Sequence, residues 1–268
     1  MAAIERFELS LYGEGVERRY RKMRPEVERM PWGSFDPSAL SARALNDARI
    51  AWTGAAFQEH RTGLACAMAL QAMIEARVPV DLIALSTRFP LDEMVHVELA
   101  ARMAMELGGA ADLRHDPEDM IVDAPEGLPP LTRAADMIVR FYCVGESLSI
   151  PLLHGTWKAC VQPLPKAILG RIVKDEAAHG QFGFTFLDWA VSRMDATAIA
   201  AVGAAADRGI ASVKSSWAKA RAGRPADFDA SGDTLGWMRS DAYYAAAERA
   251  MEDKVRAPLR ERDIPLTQ

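Results

Sequence analysis

The sequence predicts an all-α protein, a four-helix bundle with a long crossover between its second and third helices. Two observations carry this. Alanine, leucine, methionine, arginine and glutamate dominate throughout, and no β-branched alternating run with hairpin turns occurs. Proline and glycine then divide the chain into long helical stretches separated by two short turns and one long connection.

Residues 1–37, with Pro25, Pro31 and Pro37, read as an irregular arm. Helix A starts at Ser38 or Ser41, both good N-caps, and runs to about Arg77, ahead of Pro79. Helix B continues to Leu107, closed by Gly108-Gly109, with Pro90 breaking or kinking it. Residues 109–130 hold Pro117, Pro125, Pro129 and Pro130 and form the long connection. Helix C spans about Thr132–Cys160, and Pro163 and Pro165 mark the turn into helix D, which ends near Met194. Two further helices, about 195–222 and 235–260, flank a polar loop rich in Gly, Asp and Pro. The expected organisation is an arm (1–37), a bundle (38–194) and C-terminal helices packed on it (195–268), all one domain.

Net charge −5 and a pI near 5.6 argue against nucleic acid as the main partner. The basic stretch Arg18–Arg24, with Glu26 and Glu28 close behind, reads as a solvated face. No run approaches the ~18–20 apolar residues that span a bilayer, and Met1–Ser10 does not resemble a secretory signal. Cys66, Cys143 and Cys160 are too scattered for a disulfide framework and point to a reducing cytoplasm, each packing as a small apolar residue.

Two segments carry the chemistry: Asp92-Glu93-Met94-Val95-His96 and Asp175-Glu176-Ala177-Ala178-His179. Residues i and i+3 share a helix face, so each segment offers a carboxylate and an imidazole to one point. In an antiparallel hairpin, residues equidistant from the turn lie level. Glu146 and Glu176 are equidistant from position 161, beside the Pro163 turn; Glu59 and Glu93 from position 76, beside Pro79. Glu75, the competing residue on helix A, lies too near the turn. The resulting set is Glu59, Glu93, His96, Glu146, Glu176 and His179. Four carboxylates and two imidazoles suit iron or manganese, and four negative charges balance two divalent cations. Ala55, Ala56, Gly63 and Cys66 around Glu59, and Val139, Tyr142, Cys143, Ser149, Ile150 and Leu153 around Glu146, are core surroundings, where unpaired carboxylates would be costly.

His60 points to a different face from Glu59, His154 is two turns beyond Glu146, and His115 lies in the connection. Trp52, two turns before Glu59, is placed to line one end of a cavity. Asp92 and Asp175 each project about 100° round the helix from the adjacent glutamate, toward a neighbouring helix. Pro151 cannot donate to the Ser147 carbonyl, so a kink or π-bulge is expected beside Glu146.

The order Glu…Glu-x-x-His…Glu…Glu-x-x-His over residues 38–194 resembles the ferritin-like di-iron carboxylate superfamily. The twofold Asp-Glu-x-x-His is similar to hydroxylase subunits of bacterial multicomponent monooxygenases. The resemblance implies two iron ions, or a manganese–iron pair, with dioxygen as co-substrate. It also implies a small organic substrate, electrons from an external ferredoxin or reductase, and a homodimer. It pairs Asp92 with His179 and Asp175 with His96. Ala55, Ala56, Gly63, Tyr142, Cys143, Ser149, Ile150 and Leu153 are the candidate cavity residues. Three activities share the ligand set: organic oxidation, iron oxidation for storage, and radical generation. The related radical-generating subunits carry a tyrosine one turn after the first motif's histidine; here that position is Ala100. The arm, crossover and C-terminal helices exceed a simple ferritin bundle and can roof a substrate cavity. An oxygenase or oxidase is therefore the expected activity, with ferroxidase-type iron handling as the alternative.

Overall fold

Ser41 accepts a hydrogen bond from the Ala44 amide (3.1 Å) and so starts the longest helix of the molecule. The computed structural model describes residues 4–120, 123–222, 235 and 240–267. In chain order its helices are α1 (Glu14–Met23), α2 (Pro25–Glu28), α3 (Ala42–Glu75), α4 (Val80–Ser86), α5 (Phe89–Glu106), α6 (Pro130–Ile138), α7 (Ser147–Ala159), α8 (Pro163–Ala190), α9 (Ala196–Ala222), α10 (Ser240–Ala250) and α11 (Ala257–Arg260). A π-helical run, Val139–Glu146, joins α6 to α7, and another, Met251–Arg256, joins α10 to α11. Short strands β1 (Glu5–Arg6) and β2 (Arg114–His115) pair antiparallel. The polar loop expected after residue 222 falls outside the described residues, apart from Leu235.

The fold is an all-α bundle. Helices α3 and α5 form one antiparallel hairpin, α8 packs against α7 and the π run to form the other, and α5 meets α8. Pro90, expected to break or kink the helix over 80–107, sits in the first turn of α5, and the stretch is divided there into α4 and α5 because proline has no amide to donate. Helix C is continuous from Pro130 to Ala159 only by way of the π run.

Helix α9 packs on α6 and the π run, and α10 on α7. Buried Asp136 ties these layers by pairing with Arg140 (2.8 Å) and with Arg208 of α9. Gly183 of α8 lets that helix approach the π run so closely that a Cβ there would stand 2.8 Å from Cys143 Sγ and 2.9 Å from its amide.

The arm is more ordered than an irregular segment, which corrects that expectation. Glu17–Arg21 pairing (2.6 Å) supports α1 at i,i+4 spacing. The basic stretch is solvated at Arg18, Arg19 and Lys22, as expected, but not at its end. Arg24 is buried and holds Glu28 (2.5 Å) and Glu98 of α5 (2.6 Å), so its charge is used to dock the arm. No helix among the described residues is long and apolar enough to cross a membrane.

Two apolar clusters fill the bundle. One gathers Cys66, Phe89, Tyr142, Cys143, Phe182 and their neighbours; the other gathers Trp52, Ala56, Leu99, Leu164, Ile168 and Ile172. The residues between them in sequence on each helix are the charged ones of the two motifs, so a polar band crosses the bundle between two dry layers.

Candidate metal centre

Glu59 projects into this band from α3, Glu93 and His96 from α5, Glu176 and His179 from α8, and Glu146 from the last position of the π run. Their donor atoms form two groups. Glu59, Glu93, His96 and Glu176 make one; Glu93, Glu146, Glu176 and His179 make the other, with the donors in each within 4.8 Å of one another. The two shared residues divide their oxygens between the histidines. Glu93 Oε2 lies 3.5 Å from His96 Nδ1 and its Oε1 lies 3.1 Å from His179 Nδ1. Glu176 does the same, with Oε1 3.3 Å from His96 Nδ1 and Oε2 3.1 Å from His179 Nδ1. The arrangement can hold metal ions, and all six residues selected by spacing are in it.

The site is dry except at one corner. Glu93, His96 and His179 are fully buried and Glu176 and Glu146 nearly so, whereas the Glu59 side chain keeps 16 % of its surface exposed. Phe89 covers His179 at 4.3 Å between ring centroids. Both oxygens of Glu93, Glu176 Oε2 and the Nδ1 atoms of both histidines are buried without a hydrogen-bond partner. An unsatisfied buried polar atom costs about 1–3 kcal/mol, more when charged. Five in one place, all carboxylate oxygens or imidazole nitrogens, fit a group that accepts their lone pairs: a cation.

Without a metal, protons must balance the charge. Burial, assisted by Glu93 and Glu176, pushes the Glu59 carboxyl up to about 8. Burial, with Glu176 and Glu93 beside it, also holds Glu146 well above the carboxylate range. Burial disfavours a charged His96, but Asp175 and Glu176 outweigh it and raise its pKa well above the usual value. Burial is similarly outweighed at His179, by Asp92 and Glu176 first. Glu176 titrates lower than usual because the two histidines outweigh its burial.

The outward nitrogens face the two aspartates. His96 Nε2 lies 3.3 Å from Asp175 Oδ2, and His179 Nε2 lies 3.5 Å from Asp92 Oδ2. Each aspartate thus addresses the histidine of the other motif. Two arginines hold the aspartates in turn. Arg88 pairs with Asp92 (2.8 Å) and with Asp175 (3.3 Å), joining the two hairpins, and Arg171 pairs with Asp175 (2.6 Å) and with Glu26 of the arm. Sequence reasoning missed both. Their signal was present: each arginine stands four residues before its aspartate, so the repeated unit is Arg-x-x-x-Asp-Glu-x-x-His.

The π run ends on Glu146. The Ser147 amide donates to Tyr142 O, five residues back, and the Ser147 hydroxyl lies 3.0 Å from that oxygen and 3.2 Å from Gly180 O of α8. The irregularity expected beside Glu146 is therefore this widened turn, with Pro151 following inside α7. Such π segments recur at functional sites because the extra residue re-aims a side chain.

Among the residues expected to line a cavity, Tyr142 and Cys143 are fully buried core. The Tyr142 ring sits between Phe89 (5.5 Å) and Phe182 (5.3 Å). Gly63 is covered by Met94, whose Cε would be 2.4 Å from a Cβ there. Ile150 is seated on Gly180, and Ser149 lies 3.3 Å from Glu146 Oε2. Ala55 and Leu153 are half-buried against the second apolar cluster, which also contains Trp52 and Ala56. His60 and His115 are outside both donor groups and stack in an aromatic cluster with Phe7 and Phe57. His154 faces Trp157 at 5.6 Å. The three cysteines are buried and form no disulfide.

Compared with known proteins, the chain matches no family model, no curated protein and no solved structure.

Proposed function

We propose that this protein is a non-haem di-iron oxidoreductase of the ferritin-like type, an oxygenase or oxidase acting on a small organic substrate. One observation carries the reading: Glu93 and Glu176 each turn one carboxylate oxygen toward each histidine. Two carboxylates shared in this way are what a pair of adjacent, bridged ions requires. Glu59 with His96, and Glu146 with His179, complete two near-equivalent sites of hard oxygen and intermediate nitrogen donors, suited to iron or manganese. When bound, such a pair supplies the electrons and binding site for dioxygen.

The chain's own residues do the rest. Asp175 would accept from the outward N–H of His96, and Asp92 faces the outward nitrogen of His179 at 3.5 Å, so that the two aspartates would fix which nitrogen faces inward. Phe89, Tyr142 and Phe182 keep water from one side. Glu59, the least buried ligand, marks the side from which a small molecule would approach. Electrons for repeated turnover would come from a separate ferredoxin or reductase.

Iron handling is the competing reading, since the same corner at Glu59 could admit Fe(II). Mixing protein loaded anaerobically with Fe(II) with dioxygen and a large excess of Fe(II) separates the two. The oxygenase reading expects one round of oxidation per site and then arrest until a reductant is added. Sustained oxidation with growth of a ferric mineral would overturn it in favour of iron handling.

A further inference from the structure

The N-terminal arm is fastened at two places and bridges the groove between them. At one end β1 pairs with β2, the Phe7 amide donates to Leu113 O (2.9 Å), and the Phe7 ring packs edge-on to Phe57 (5.2 Å). At the other, the Tyr20 hydroxyl donates to Met94 O (3.2 Å), Arg24 holds Glu98, and Arg102 stacks on Trp32 at 3.8 Å. Between these fastenings the arm and the outer groove of α3 and α5 line an open-sided cavity of about 820 Å³. That is within the range of about 300–1,000 Å³ typical of small-molecule sites.

The chemistry of the walls selects the ligand. Most of the polar groups facing the cavity are already engaged, the exceptions being His60 Nδ1 and Glu98 Oε2, which are buried without a hydrogen-bond partner. Tyr20 donates to Met94 O, Thr53 donates to Arg49 O and accepts from the Ala111 amide, Glu98 holds Arg24 and Arg102, and Arg21 holds Glu17 and Glu28. Those two atoms can meet one polar head group but are too few to orient a sugar, nucleotide or peptide. Most of the remaining surface is aliphatic, with Leu9 and Leu11 from the arm, Ala56 from α3, and Met94, Ala101 and Met105 from α5, and the polar side chains of Arg6, Glu8 and Ser10 stand beside it on the arm. Leu9, Leu11 and Met105 are 45 %, 63 % and 67 % exposed, so apolar surface continues out to the mouth. Methionine side chains adapt to irregular apolar shapes, and two of the six are methionines.

We infer that the cavity beneath the arm is a binding site for an aliphatic chain, that of a long-chain fatty acid or fatty alcohol. It lies outside the metal cluster but shares a wall with it. Ala56 precedes Glu59 by one turn, Met94 adjoins Glu93, and the Met94 methyl lies over Gly63 between the two helices.

The test uses full-length, metal-free protein, so its outcome is independent of the metal reading. Dodecanoic acid, dodecanol and dodecyltrimethylammonium are titrated into protein carrying ¹³C-methyl methionine. The inference expects saturable binding of the acid, the alcohol or both, with the Met94 and Met105 methyl signals shifting together. Ala101→Trp, which fills the half-buried floor, should weaken that binding at least tenfold while unfolding and circular dichroism stay as in the parent. No binding by acid or alcohol, binding that moves other methionines instead, or binding unaffected by Ala101→Trp would overturn it. So would Met94 and Met105 shifts that follow protein concentration alone, since the mouth would then be a contact between copies.

Discussion

Asp175 of α8 brings Oδ2 to 3.3 Å from Nε2 of His96 on α5, crossing from one helical hairpin to the other. Asp92 and His179 make the reciprocal approach at 3.5 Å. The histidine of each motif therefore faces the aspartate of the other, so the two hairpins meet at the cluster through both pairs.

Replacing either aspartate by asparagine keeps its size and removes the charge that fixes the imidazole. Asp175→Asn and Asp92→Asn should each weaken metal binding by ~10–100-fold in protein that still folds. Competitive titration with a metal chelator of known affinity measures this. Parent-like affinity in both variants would show that the aspartates do not orient the ligands.

Arg88 should act through those aspartates, and more weakly. Its side chain is 58 % exposed, so solvent screens its pairs with Asp92 and Asp175. Arg88→Ala should lower metal affinity by less than either aspartate change. Combined with Asp175→Asn it should add less than its separate effect, because the two share one network. Full additivity in the double variant would place Arg88 outside that network.

Much of this site was legible in the sequence because its chemistry is periodic. Glu-x-x-His fixes a helix face, and Pro79 and Pro163 mark the turns from which Glu59 and Glu146 could be placed level with their partners. The 100° step between adjacent helical residues turned the aspartates toward a neighbouring helix, and the family resemblance implied which histidine each would face. What escaped depends on tertiary contact. Nothing local reveals that Arg24 would be buried in the docked arm, or that Arg88 would reach both aspartates, although the repeated Arg-x-x-x-Asp spacing was there. Pro151 signalled an irregular helix C, but the wide turn lies before it, at Val139–Glu146, where Gly183 lets α8 press against the backbone.

That close contact is itself testable. A methyl group at Gly183 would overlap Cys143 Sγ and Tyr142 Cβ, each 2.8 Å away, and the Cys143 amide at 2.9 Å. Backbone cannot yield as a flexible side chain can, so Gly183→Ala should destabilise the protein by about 1–3 kcal/mol. Chemical denaturation of the metal-free form measures the loss. An unchanged midpoint would mean that α8 does not approach the π run as described.

The arm's attachment should be sensitive to alkali. Burial, with Glu98 adding to it, pushes the Tyr20 phenol from 10.0 up to about 12. The folded protein then keeps a proton that the unfolded chain releases, so the stabilisation is complete below pH 10 and is lost as pH rises through about 12. Parent protein should unfold at a higher temperature than Tyr20→Phe at pH 9, and the difference should shrink between pH 10 and 12. A difference that stays constant across this range would show that the phenol is not held by the fold.

The most direct test of the central claim is anaerobic titration with Fe(II), followed by metal analysis of the parent, Glu93→Ala and Glu146→Ala. Sharing of Glu93 between two adjacent sites predicts two ions per chain in the parent. It also predicts weakened occupancy of both sites in Glu93→Ala, and selective weakening of the His179 site in Glu146→Ala. A parent protein that binds no iron, or binds a single ion that Glu93→Ala leaves in place, would contradict the account.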